Sequence, residues 1–226
     1  MTTKEPKAKK ASKPVLAPPN SPYEVGIDEV GRGPLFGPVY AAAVILPIDT
    51  FDFSLMKDSK KFSSPIARSK VADYIKTNAT WWAVESISEK QIDEINILHA
   101  TMAAMHKCLD KLPHGIPEKN KIEILVDGTY FHYYQNLKHT CVVAGDNTYA
   151  SIAAASILAK VARDDFIQDL AKQHPFLDEY YDISRNKGYG TQKHMQGIAT
   201  HGISEWHRLS FGPCKKGDCV PLGPPN

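Results

Sequence analysis

The sequence predicts an α/β fold built on a sheet of mixed strand direction. β-branched apolar runs cluster early in the chain and then alternate with segments of helical periodicity, the pattern of a sheet covered by helices. The 226 residues are 42% hydrophobic and 9% aromatic, enough for one large domain or two small ones with a real core. Three of the runs end close to an acid and a glycine, at the place where open α/β sheets present their ligands.

The elements follow in order. Residues 1–22 are rich in Lys, Ala, Pro and Ser, and predict a disordered basic arm. Its five lysines stand against Glu5, so the arm carries +4 and leaves −2 for the remainder of a chain whose total is +2. Such an arm touches nucleic-acid phosphates or is simply solvated. A faintly acidic body argues that any grip on nucleic acid is local and geometric. The folded domain is expected over 23–213, with an irregular tail at 214–226.

Val25-Gly26-Ile27 reads as a short strand ending at Asp28-Glu29, and Val39 to Leu46 as a buried strand. Ser64 to Thr77 predicts a helix capped by Ser63 or Ser64, and Thr80 to Ile87 a strand. Ser88 with Gln91 three residues on is a capping box, with helical periodicity through Leu112. Ile122 to Val126 is a strand running into Asp127-Gly128, and Thr140 to Val143 a strand before Gly145-Asp146. Tyr149 to Gln173 is a long Ala-rich helix, and Thr191 to His201 a last one closed by Gly202.

Several classes fall away. No run of eighteen apolar residues exists, so no membrane span is expected. The Lys-rich start lacks the apolar stretch of a secretory signal. Cys108, Cys141, Cys214 and Cys219 are too scattered for a disulfide framework, which points to a reducing, cytoplasmic setting. Cys214 and Cys219 form half a metal knuckle that no other His or Cys pair completes.

Asp28, Asp127 and Asp146 each follow an apolar strand. One such acid is commonly a turn or cap residue. Three on one sheet edge would repel each other unless a cation sat between them. Oxygen-only ligands favour Mg²⁺ or Mn²⁺. Two such ions about 4 Å apart form a clamp for in-line displacement at phosphorus. Glu29 stays open on this reasoning, because successive strand residues point to opposite faces unless the Gly31-to-Pro34 turn swings it back. Asp164 and Asp165 lie roughly 20 Å along their helix from its start, so Asp146 is preferred and they are read as structural.

Gly26-Ile27-Asp28-Glu29-Val30-Gly31-Arg32-Gly33-Pro34, with Gly37-Pro38-Val39 and Ala41 to Val44, closely resembles the opening motif of bacterial-type ribonuclease HII. Asp58-Ser59-Lys60-Lys61, Val126-Asp127-Gly128, Gly145-Asp146 and Ser151 to Asp164 resemble later blocks of that family, in its order. So do Lys187 to Thr191 with His194, and His207 to Phe211. The resemblance runs from Val25 to Pro213.

This resemblance implies an RNase H-like fold, a five-stranded mixed sheet flanked by helices. It implies a metal-dependent endonuclease acting on RNA–DNA hybrids and on duplex DNA with embedded ribonucleotides. By motif position Asp28, Glu29, Asp127 and Asp146 would be the catalytic acids and would hold two divalent ions, which decides Glu29. Gly31, Arg32 and Gly33 would contact the ribose 2′-hydroxyl through the main chain, and Tyr189 would pack on the next sugar. Only that hydroxyl separates RNA from DNA at one site, although alone the turn could be just a turn. Ser59 and Lys60 fall where the family contacts phosphate. Lys160, Arg163, His194, His207 and Arg208 are read as packing and salt-bridge residues. A monomer without membrane attachment is expected. A hybrid-binding module that does not cut would have no need of four acids. A nuclease resolving DNA junctions would have no need of a ribose-sensing turn.

Overall fold

The computed structural model describes residues 16–113, 121–215 and 221–222. Its centre is a five-stranded sheet in the order β3-β2-β1-β4-β5. The strands are β1 (Glu24–Val30), β2 (Val39–Ile45), β3 (Trp81–Ile87), β4 (Glu123–Asp127) and β5 (Lys138–Val142). β1 to β3 form an antiparallel meander, whereas β4 pairs parallel with β1 and β5 parallel with β4. The sheet is mixed, as predicted.

Helices cover both faces. On β2, Val39, Ala41, Ala43 and Ile45 enter the core under α2 (Glu89–Asp110), while Ala42 and Val44 enter the one under α1 (Pro65–Asn78) and α3 (Ala150–Gln173). Alternating residues that are all apolar mark a strand buried on both sides. α3 lies very close to β1. A Cβ built on Gly26 would stand 2.1 Å from the backbone carbonyl carbon of Ser151, so glycine is the residue that permits this approach. Glu24 is buried below the contact and accepts hydrogen bonds from Ser151 Oγ at 2.7 Å and Asn20 N at 3.1 Å. A third cluster gathers Phe36, Ile167, Leu177, Tyr181 and Ile198 around α4 (Phe176–Tyr181) and α6 (Gln192–His201).

Several ends behave as the sequence indicates. Ser64 caps α1, accepting from Ala67 N at 3.1 Å, and Pro65 opens that helix. The Ser88–Gln91 capping box is present, and Gly202 follows α6 at φ 77°. Other features differ. β1 runs past the expected end at Asp28-Glu29 and pairs through Val30, because its partner β2 continues opposite it. α2 breaks at Asn96, whose φ is 63° and whose side chain caps the second half by accepting from Leu98 N and His99 N. β5 is displaced towards the polar Lys138-His139 pair, which an edge strand tolerates. α4 and the short α5 (Ile183–Asn186) follow α3 where no helix was predicted, since neither is long enough to display a period.

The termini also depart from expectation. Residues 16–22 are docked rather than loose. Leu16 is buried, and Ala17 receives the N–H of Ala150 at 2.9 Å, one of the donors that every helix start leaves open. The rest of the arm lies outside the described residues. Part of the tail has structure. Gly212–Lys215 forms a 3₁₀ turn with Cys214 buried, and Pro221-Leu222 pairs parallel with Ile203-Ser204. Cys219 lies outside the described residues.

Gly26→Ala should destabilise the protein by about 3 kcal/mol, because the methyl meets backbone rather than a movable side chain. Thermal unfolding should show a melting temperature lowered by about 6–12 °C. A shift under about 2 °C would mean that α3 does not press on β1 as described.

Candidate active site

The parallel register brings the acids together. Ile27 lies opposite Val126, so Asp28 and Asp127 occupy the next row on adjacent strands. Asp127 ends β4 and lies opposite Val142 of β5. After β5 the chain passes through Ala144 in the left-handed region, at φ 52°, into the 3₁₀ turn Gly145–Asn147 that carries Asp146. Asp127 Oδ1 accepts from Gly145 N at 2.7 Å, which ties that turn to the end of β4.

A cavity of about 410 Å³ opens at this edge. Asp28, Glu29, Asp127 and Asp146 all line it, together with the Gly31–Gly33 turn, Ser59, Lys60 and Tyr189. Every site residue suggested by the sequence is therefore at one place. Glu29 reaches it although β1 continues past it, so no reversal of the strand is needed. Asp164 is absent from the lining. It pairs with Arg68 and Lys160, each at 2.7 Å.

The acids are short of positive charge. Burial holds the Asp28 carboxyl well above its ordinary value, and the neighbouring Glu29 and Asp127 charges push the same way. Glu29 is raised by burial, against the pull of Arg32 at 3.5 Å, and Asp127 adds to the rise. Asp146 is raised by burial and then by Asp58 and Asp127, with Lys60 opposing. Among the described residues no three His, Cys, Asp or Glu side chains are already drawn into a cage around one point. What the cavity offers is an all-oxygen set of crowded carboxylates, which suits a hard divalent cation.

Two lining residues escaped the sequence reading in this role. Ser156 hydrogen-bonds Asp28 and lies 3.0 Å from the Ser59 hydroxyl, linking α3 to the Ser59–Lys61 turn. Lys160 pairs with Asp164, as its salt-bridge reading expects, yet it also lines the cavity. Ser156, Lys160 and Asp164 recur every four residues along an otherwise Ala-rich helix, and that polar stripe was the available signal.

The Gly31–Gly33 turn is held from behind by two fully buried arginines. Arg208 donates to the carbonyls of Gly31 at 2.7 Å, Arg32 at 3.0 Å, Pro34 at 2.8 Å and Gly37 at 2.8 Å. Arg163 donates to Phe36 O at 3.1 Å, Pro38 O at 3.2 Å and Lys187 O at 3.0 Å. Gly31 stands at φ 93°, and a Cβ there would meet Arg163 Nε at 2.3 Å. Burial pulls both guanidinium values down, but the inward-facing carbonyls solvate the charge in place of water. Among the described residues, the amides of Gly31, Arg32 and Gly33 donate to no protein acceptor.

Comparison with known proteins agrees with this geometry. The sequence profile of the Ribonuclease HII family matches residues 25–214. Ribonuclease HII of Phocaeicola vulgatus is 47% identical over 188 residues, covering 83% of this chain and 88% of that protein. Among solved structures, ribonuclease H2 of Pyrococcus horikoshii OT3 superposes with a TM-score of 0.66 at 22% identity, covering 85% of this chain and 95% of that one. Bst-RNase HIII, solved in complex with Mn²⁺, superposes with a TM-score of 0.62 at 20% identity, covering 85% and 68%. These two share the fold. With a family profile that spans the whole sheet and a relative of nearly half identity along most of the chain, this protein belongs to the ribonuclease HII family of metal-dependent nucleases that act on RNA–DNA substrates.

Proposed function

We propose that the protein is an endoribonuclease that cuts the RNA strand of RNA–DNA hybrids and cuts on the 5′ side of ribonucleotides embedded in duplex DNA, leaving 3′-hydroxyl and 5′-phosphate ends. The observation that carries this reading is the meeting, in one cavity, of four strand-end carboxylates with a turn whose amides are unspent.

Asp28, Glu29, Asp127 and Asp146 hold two divalent ions, Mg²⁺ or Mn²⁺. When bound, these supply an activated water and charge stabilisation for the leaving oxygen. Their mutual repulsion and burial keep the carboxylates poised for a cation, and the Mn²⁺ complex of Bst-RNase HIII supports the choice of ion. The amides of Gly31, Arg32 and Gly33 face the ribose and recognise its 2′-hydroxyl. A deoxyribose leaves those donors unpaired, which is a strong ground for rejection. Tyr189 packs on the adjoining sugar. Ser59 and Lys60 receive the phosphate backbone. Water is the nucleophile, so no covalent enzyme intermediate forms. The protein works as a cytoplasmic monomer.

Cleavage of a duplex carrying one ribonucleotide, assayed with and without Mg²⁺ or Mn²⁺, tests this reading. Cutting 5′ of that ribonucleotide should require the ion, and an intact strand under every condition would refute it. Asp127→Asn should lower the rate by at least about a thousandfold while the melting temperature stays within about 3 °C. Substantial remaining activity would remove Asp127 from the reaction. Tyr189→Ala should slow cutting at a lone ribonucleotide by about tenfold or more, since stacking on one nucleotide is worth about 1–3 kcal/mol. An unchanged rate would make the ring structural.

The raised carboxyls also predict a pH signature. An acid whose folded value lies above its unfolded one, ordinarily 3.8 for Asp and 4.5 for Glu, binds protons on folding. Its contribution is complete below the unfolded value and is lost as pH rises through the folded one. The chelator-treated protein should therefore lose melting temperature as pH rises above the ordinary carboxylate range. Asp28→Asn should flatten that slope. Added Mg²⁺ should stabilise more at the higher pH, and equal slopes in wild type and variant would contradict the shift at Asp28.

A further inference from the structure

Behind Tyr189 lie two imidazoles that the reading above leaves without a task. His194, on α6, and His207 are both buried, at 0% and 2% exposure. Their Nε2 atoms are 3.0 Å apart. His207 Nδ1 accepts from Ser204 N at 2.9 Å and lies 2.8 Å from the Ser204 hydroxyl. His194 Nδ1 lies 3.0 Å from the carbonyl oxygen of Tyr189.

The two ends of this chain fix its protons independently. An amide N–H can only donate, so His207 Nδ1 carries a lone pair and its proton is on Nε2. A carbonyl can only accept, so His194 Nδ1 carries a proton, and in the neutral ring its Nε2 is a lone pair. The proton of His207 Nε2 therefore points at the lone pair of His194 Nε2. Both deductions agree at the midpoint. The result is one polarised run, from Ser204 through His207 and His194 to Tyr189, with every nitrogen satisfied. A third proton on either ring would set two donors face to face. Burial accordingly lowers His194 and, with the charge of His194 opposing a second one, pushes His207 to about 3.

The far end needs such a support. Tyr189 follows two left-handed residues, Lys187 at φ 56° and Gly188 at φ 84°. A non-glycine residue in that region is sterically strained, so the loop must be held by its surroundings. Tyr189 is 46% exposed, and its ring edge lies 3.4 Å from where a Cβ on Gly33 would stand. Other supports hold the loop's main chain rather than the ring: Thr191 N to Tyr189 O at 2.8 Å, Tyr189 N to Asn186 O at 3.1 Å, Leu35 N to Gly188 O at 2.8 Å, Gly188 N to Asn186 Oδ1 at 2.8 Å and Arg163 to Lys187 O at 3.0 Å. His207 also meets the edge of Phe36, with ring centroids 5.2 Å apart, and Phe36 O is one of the carbonyls taken by Arg163. The imidazole pair thus touches the loop of Tyr189 on one side and the strand-to-strand loop of Gly31–Gly37 on the other.

We propose that His194 and His207 are positioning residues for ribose recognition: their one-way hydrogen-bond chain from Ser204 to the Tyr189 carbonyl sets where the Tyr189 ring stands relative to the Gly31–Gly33 turn. This rests on the reading of Tyr189 as a substrate contact. The pair acts on the sugar beside the cut through Tyr189 and takes no part in the chemistry at phosphorus.

Two measurements test it, the first on the native protein. Imidazole ¹⁵N NMR should find His194 protonated at Nδ1 and His207 at Nε2 throughout the neutral range. The opposite tautomer at either ring would break the chain and overturn the proposal. The second is a double-mutant cycle on a duplex with one ribonucleotide. His194→Leu should lower kcat by about tenfold, the scale of one lost hydrogen bond, and should move the ¹⁹F resonance of fluorotyrosine at Tyr189. His194→Asn, which can keep a donor near the Nδ1 position, should recover most of the rate and restore the resonance. In a Tyr189→Ala background His194→Leu should cost almost nothing more. Losses that simply multiply, or a tyrosine resonance that does not move, would show that the pair serves only the core and would overturn the proposal. The Tyr189 reading fails separately, through an unchanged rate in Tyr189→Ala alone.

Discussion

The parallel pairing of β1 with β4 is the constraint on which the site depends. It sets Asp28 beside Asp127 with no help from side chains, because the register is a property of backbone hydrogen bonds. A slip of one residue would turn Asp28 away from α3 and place Ile27 where the acid belongs. The register is guarded by the helix pressed against it. Gly26 admits the α3 backbone at one position only, and the Glu24–Ser151 bond fixes the same contact one pleat away. Repulsion among the carboxylates is therefore borne by main-chain structure and by a buried apolar sheet on both faces.

A second principle shapes the other half of the cavity. Arg163 and Arg208 give their hydrogen bonds to carbonyl oxygens, and neither forms an ion pair with an acid among the described residues. Turning so many carbonyls of one loop inward leaves the amides of Gly31, Arg32 and Gly33 without acceptors among the described residues. A recognition surface made of backbone has no rotamers to freeze, so its donors are already oriented before a ligand arrives. The same device recurs at Tyr189, where a carbonyl is the handle by which a side chain is aimed.

Much of this could be read before any coordinates. The strand-end acids and the Ser88–Gln91 box are local signals, carried by residue types whose physics acts over a few positions. So are the cap at Ser64 and the stop at Gly202. What stayed hidden is non-local. The reach of β1 through Val30 depends on β2 lying opposite, and the break at Asn96 on a side chain that caps its own helix. The docking of Leu16 depends on a helix start more than a hundred residues away, which no composition rule can anticipate. For the same reason Arg163 and Arg208 were expected to pack or form salt bridges, since their carbonyl partners are brought to them only by the fold. Glu29 was ambiguous from alternation alone. Its side chain reaches a cavity that the pleat by itself would not assign to it.

The grip of Arg208 on Gly31 spans 177 positions of sequence. The turn is therefore made well before the guanidinium that shapes it. A growing chain can therefore lay down its sheet and gather its acids before the Gly31–Gly33 turn has its support. The carboxylates and the turn proposed to contact ribose thus have separate structural origins: strand pairing gathers the first, and a distant side chain shapes the second.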